Sequence, residues 1–235
     1  MTFTDYLFFI IINIIVMKYT HVMFDLDGTL LNTLEDLADS GNAALEELGL
    51  PVHPVECYRY FVGNGVHELM KRLLPPEETD NIELGKTLLA KYTAQYNNRW
   101  HNKTRPYNGM VEALHQLKSA GATLSVFSNK PDEFTKSCIY HFFGDSLFSA
   151  VRGGRDDTPR KPAPDGALAI LDQLGIKPES VLYVGDTATD MQTAHAAGFF
   201  AIGVTWGFRT REELEENNAS AVINAPSEIF DILIK

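Results

Sequence analysis

The chain has 235 residues, 45% of them hydrophobic and 22% charged, with a formal net charge of −11. That length and apolar content support one or two globular domains with a sizeable core and exclude a disordered tail. The acid excess leaves nucleic acid and anionic membranes little overall attraction, and Cys57 and Cys138, far apart and without CxxC spacing, exclude a zinc cluster or a disulfide framework and fit a reducing cytoplasm.

Residues 1–16 are an apolar extension dominated by "YLFFIIINIIV", Tyr6 to Val16. As a helix this run would rise about 17 Å against a hydrocarbon core of about 30 Å, so stable membrane insertion is not expected. No basic region or small-residue cleavage site marks a secretory signal. Two readings stay open: an upstream extension outside the native fold, with Met17 as the natural start, or a weak membrane-surface anchor.

From His21 onward, short apolar β-branched runs alternate with helix-period segments, the pattern of a parallel sheet covered by helices. Strands are predicted near 21–25, 123–127, 148–152, 180–184, 199–204 and 220–223. Between them, "GMVEALHQLKSAG" sets Met110, Val111, Leu114 and Leu117 at helical spacing before Gly121, and "APDGALAILDQLG" sets Leu168, Leu171 and Leu174 likewise. Residues 36–104 break this rhythm, being almost entirely helical in pattern with a break at "LLPPEETD". They are read as a helical domain inserted into an α/β core made of residues 17–35 and 105–235.

Ligand sites in open parallel sheets lie at the carboxyl ends of the strands. Four predicted ends carry polar residues: Asp25 and Asp27 after "HVMF", Ser128 and Asn129 after "TLSVF", Lys161 in "RKPAPD", and Asp186 with Asp190 in "VGDTATD". Singly, each reads as a turn or a helix cap. Together, several carboxylates converging with one lysine and one hydroxyl need a divalent cation and an anion to balance their charge.

"DLDGTL", "FSNK", "RKPAPD" and "GDTATD", in that order, resemble the four motifs of the haloacid dehalogenase superfamily, and the helical insertion resembles its C1 cap. Within the superfamily the nearest likeness is to phosphoglycolate phosphatases, through "DLDGTLLNT", "FVGNGVHELM" and "VTWGF". The resemblance implies a Rossmann-like fold and an Mg2+-dependent phosphatase acting on a small phosphorylated metabolite, 2-phosphoglycolate or a related ester. It implies Asp25 as nucleophile and metal ligand, and Asp27 as acid and base with its main-chain carbonyl on the metal. Gly28, Thr29, Ser128, Asn129 and Lys161 are then phosphate-binding, Asp186 is a further metal ligand, and Asp190 stands behind the metal, orienting a bound water or Lys161. An all-oxygen shell beside a phosphate favours magnesium over zinc.

Substrate choice is expected in the cap, where Gly63 and Gly65 flank Asn64 in a turn able to aim backbone N–H groups at a small carboxylate. His67 reads first as a solvated helix residue, and Arg209 as either a rim residue or a surface one. Three rivals remain: a sugar phosphatase or pyrophosphatase, a phosphomutase like β-phosphoglucomutase, and a phosphoryl-accepting regulatory domain. A mutase would carry a basic residue in the 63–65 loop, and a phosphoryl acceptor needs no Asp-x-Asp-Gly-Thr. A cytoplasmic monomer or homodimer is expected, with no nucleic-acid partner.

Overall fold

The computed structural model describes residues 18–234, so the expectations for the apolar extension lie outside the described residues. In chain order the strands are β1 (His21–Phe24), β2 (Leu31–Asn32), β3 (Arg105–Pro106), β4 (Thr123–Pro131), β5 (Ala150–Gly154), β6 (Val181–Gly185), β7 (Phe200–Val204) and β8 (Ala221–Ile223). Six of them form one parallel sheet in the order β5-β4-β1-β6-β7-β8. The chain fills one side of β1 with β4 and β5 and then returns to its other side with β6. The crevice at the carboxyl end of β1 is therefore the switch point of the sheet, where this architecture places ligands.

Side-chain alternation explains why these runs are strands. Val22 and Phe24 of β1, Leu124 and Val126 of β4, and Leu182 and Val184 of β6 enter one hydrophobic cluster. Met23, Phe127, Val181 and Tyr183, one residue out of phase, enter a second. Each strand thus buries both faces, which parallel strands between two helical layers must do. Helices Met110–Ser119, Asp132–Phe143, Asp165–Leu174, Ala188–Ala197, Arg211–Glu216 and Glu228–Leu233 belong to this part of the chain.

Several predicted elements shift. The third strand begins at Ala150 instead of near 148, and β4 runs on to Pro131 through an irregularity after Phe127, so Ser128 and Asn129 lie within the strand's end. Leu168 is 37% exposed, because helix Asp165–Leu174 turns Ala167, Ile170 and Leu171 inward instead. The cause is Gly166: a β-carbon there would collide with the Phe127 ring, so the bare backbone approaches the sheet and sets the helix's rotation.

Between β2 and β3, which pair as a two-residue antiparallel ribbon, the chain is helical. Helices Leu34–Glu47, Tyr58–Phe61, Val66–Leu73 and Ile82–Asn97 surround their own cluster, including Leu45, Tyr58, Leu73, Leu88 and Tyr96. Phe208, from the loop after β7, is buried in that cluster and joins the insertion to the sheet. The buried Asp36 ties the neck, accepting from the Lys103 N–H (3.0 Å), the Thr104 N–H (2.8 Å) and the Thr104 hydroxyl (2.8 Å). Outgoing and returning chain are thereby held together by a charge that would be costly to leave unpaired. Among the described residues no helix is long and apolar enough to cross a membrane.

His21 adds a pH term to stability. It is fully buried in β1, with Nε2 2.7 Å from the Ser125 hydroxyl, and burial lowers its pKa from 6.5 to about 4. Its contribution is therefore complete above about pH 6.5 and is lost as pH falls towards 4, where the unfolded chain takes up a proton the fold refuses. Between pH 7 and pH 5 the wild type should lose about 2 kcal/mol more than His21→Gln in urea unfolding. Equal losses would show that the imidazole does not titrate this way.

Candidate active site

Three strand ends and one loop bring the polar residues together. Asp25 leaves β1 with its N–H donating to the Val184 carbonyl (2.9 Å), which ties the first carboxylate to β6. The chain then turns at Gly28, whose φ of +88° suits glycine, and a β-carbon there would collide with the Asp186 carboxylate. Asp186 follows β6 directly and is fully buried. Its Oδ1 accepts from the Thr29 hydroxyl (3.0 Å) and its Oδ2 from the Phe208 N–H (2.8 Å).

Lys161 is the charge at the centre. Its Nζ lies 2.8 Å from Asp25 Oδ1 and 2.7 Å from Asp190 Oδ1, with all three side chains buried. Asp190 Oδ2 accepts from the N–H (3.1 Å) and hydroxyl (2.7 Å) of Thr187, the capping box that opens helix Ala188–Ala197. Both Asp190 oxygens are thus committed, one to the helix start and one to Lys161. Asn129 braces the lysine from the other side, accepting from the Lys161 N–H (2.8 Å) and donating to the Lys161 carbonyl (3.1 Å).

One ammonium cannot neutralise this many acids. Burial raises Asp25 to about 6, against the pull of Lys161 and with the Asp190 charge adding to the rise. Burial, then Asp190 and Asp25, holds Asp186 well above the usual carboxylate range. Burial alone would lower Lys161, but Asp190 and Asp25 outweigh it and hold the ammonium well above the usual lysine range. A carboxylate oxygen from each of Asp25, Asp186 and Asp190 lies within 4.8 Å of the others, and among the described residues none gives Asp25 Oδ1 a well-directed hydrogen bond. That surplus of negative oxygen fits a hard divalent cation.

Some residues singled out in the sequence act differently here. The Gly28 N–H is spent on Leu31 O (2.9 Å), the Thr29 N–H on Leu26 O (3.3 Å) and the Thr29 hydroxyl on Asp186. A tight turn satisfies its own donors, so these two residues hold the loop and Asp186 and present no free N–H to a phosphate. The side chain of Asp27 leaves the acid cluster and pairs with Lys130, at 3.0 and 3.2 Å. His67 lines a separate surface groove with Lys71 and Ile82. Arg209 is engaged at the insertion: its Nη2 donates to the Val62 carbonyl (3.2 Å), its guanidinium lies 5.2 Å from the Tyr60 ring centre and its Nε is 3.4 Å from Glu213, fastening the insertion to the sheet.

A cavity of about 270 Å³ separates the sheet from the insertion, with Asp25, Asp27, Ser128, Asn129 and Lys130 along its floor. Gly63 and Gly65 lie on its rim, among apolar walls that include Val62, Leu69, Tyr92, Tyr96 and Phe134. The turn is latched to the core, since Asn129 Nδ2 donates to Gly63 O (2.9 Å) and Asn64 Nδ2 to the Thr189 hydroxyl (3.3 Å). Sequence reasoning missed Lys130 and the Phe208 N–H. Lys130 sits two residues beyond Ser128 on the same strand, so period-two alternation flags it, but no local pattern predicts a partner 103 residues away.

Buried carboxylates, one lysine and a serine at the switch point of a parallel sheet, under a helical cap, define a hydrolase of the haloacid dehalogenase kind. The family model for haloacid dehalogenase-like hydrolases matches residues 22–204, and the chain belongs to that family. Its relatives group it with the phosphatases. It is 35% identical to phosphoglycolate phosphatase of Haemophilus influenzae, over 92% of this chain and 99% of the relative. It is 32% identical to the phosphoglycolate phosphatase of Pseudomonas putida, over 86% and 75%. A crystal structure of a predicted phosphoglycolate phosphatase from Haemophilus somnus superposes with a TM-score of 0.86 at 29% identity, covering 92% of this chain and 99% of that one.

Proposed function

We propose that the protein hydrolyses 2-phosphoglycolate, with magnesium and through an aspartyl-phosphate. The observation that carries this reading is the meeting of Asp25, Asp186, Asp190 and Lys161 beside a cavity floor that also holds Asp27 and Ser128. The names of the relatives support the choice of ester.

Asp25, Asp186 and the main-chain carbonyl of Asp27 would hold magnesium, which when bound neutralises phosphoryl oxygens and keeps Asp25 ionised. The Asp25 carboxylate attacks phosphorus, forming an acyl phosphate as the ester P–O bond breaks. Asp27 gives a proton to the departing alkoxide and then takes one from the water that attacks the acyl phosphate, releasing inorganic phosphate. The Ser128 hydroxyl and the Lys161 ammonium bear the equatorial oxygens, where charge develops. Because both polar atoms of the Asn129 side chain are already bonded, its part in this step is through the backbone N–H and through holding Lys161. Asp190 acts by positioning Lys161.

The test is kcat/KM across a panel of small phosphate esters, in magnesium and after chelation. The expected maximum is on 2-phosphoglycolate, with activity lost on chelation and regained with magnesium. A maximum on a sugar phosphate would overturn the substrate, and turnover indifferent to chelation would overturn the metal.

A further inference from the structure

We propose that Lys130 is the receptor for the substrate's carboxylate, and so the residue that sets preference for an anionic leaving group; this rests on the reading of 2-phosphoglycolate as substrate. An ester carrying a second anion must place that charge in the part of the cavity away from the phosphoryl site. The walls there are Val62, Leu69, Leu89, Tyr92, Tyr96 and Phe134, which offer an anion no charge. A carboxylate stripped of water against such walls is strongly disfavoured unless a cation meets it. Among the described residues that line the cavity, Lys130 is the one cation.

Its placement suits that task. The Lys130 side chain is 3% exposed, and among the described residues Nζ bonds only to the two oxygens of Asp27, at 3.0 and 3.2 Å. An ammonium has three N–H donors, so at least one remains for another acceptor. The ring of Tyr96 lies 4.8 Å from Nζ, giving the charge a surface that holds it without using a donor. Asp27 is the group assigned to protonate the leaving oxygen, and in 2-phosphoglycolate the carboxyl carbon stands two bonds from that oxygen. A cation hydrogen-bonded to Asp27 therefore lies where the carboxylate of a bound substrate must be. The Gly63-Asn64-Gly65 turn, whose two glycines line the same cavity, closes the rim; Lys130 supplies the charge.

The matched probe is 2-hydroxyethyl phosphate, which replaces the carboxylate by a neutral group of similar size. Because Lys130 also contacts Asp27, its loss is expected to slow both esters, and the informative quantity is the ratio of their kcat/KM values. In Lys130→Met that ratio should fall at least tenfold relative to wild type. Lys130→Gln, which keeps a hydrogen-bond donor beside Asp27, should show the same fall and serves if the methionine variant does not fold. A readout independent of turnover is calorimetric binding to Asp25→Asn protein: adding Lys130→Gln should weaken 2-phosphoglycolate at least tenfold and 2-hydroxyethyl phosphate much less. A wild type preferring 2-phosphoglycolate, with both esters losing equally on substitution, would overturn the role of Lys130 and leave the substrate reading standing. A wild type indifferent to the carboxylate would overturn both.

Discussion

Asp25→Asn should abolish turnover, with kcat falling at least about 10⁴-fold, while the protein remains folded. The amide matches the carboxylate in shape but has no anionic oxygen to attack phosphorus. Stability should not suffer in metal-free buffer. Burial already holds Asp25 up to about 6, so removing one negative charge from a cluster with too few cations relieves repulsion. Two measurements check this: a chemical unfolding curve at pH 7, and the mass of acid-quenched protein, which should carry a phosphoryl adduct in the wild type and none in the variant. A folded variant keeping a tenth of wild-type kcat would remove Asp25 from the nucleophile's role.

Lys161→Ala should have the opposite balance of effects. The ammonium is the cation that meets both Asp25, at 2.8 Å, and Asp190, at 2.7 Å, and its loss leaves buried carboxylates without compensation. Breaking a buried pair from one side costs about 3–5 kcal/mol, and that is the destabilisation expected in chelator. Magnesium should restore part of it, because a divalent cation replaces the missing charge. Catalysis should fall by about 10²–10³ in kcat/KM for 2-phosphoglycolate and an activated aryl phosphate alike, since both share the phosphoryl group. This common loss contrasts with the selective loss expected at Lys130. An aryl-phosphate rate untouched by Lys161→Ala would refute its place on the phosphoryl oxygens.

Much of the acid and lysine cluster was legible because parallel sheets put ligand sites at strand ends. Asp25 and Asp186 each follow a short, largely apolar run directly, and "KPAPD" marks Lys161 just ahead of a helix. The parts that were not legible are contacts between segments remote in sequence. The Thr187 to Asp190 capping box is local and readable, yet nothing in that stretch says that the free oxygen of Asp190 meets Lys161. Gly28 and Thr29 were expected on the phosphate, but their N–H groups close the turn itself, a choice fixed by the positive φ at Gly28.

The sequence by itself determined the order along the chain of the six strands of the main sheet, the inserted helical segment and the acids at the strand ends, though not the short β2–β3 ribbon, since periodicity, punctuation and motif spacing are local properties of the chain. Only the tertiary structure decided that Asp27 is held by Lys130, that Arg209 fastens the cap, and that, among the described residues, the cavity walls are apolar around a single cation. Each of these depends on which side chains the crossovers and the cap bring within hydrogen-bonding distance. No pattern along one segment encodes the neighbour supplied by another.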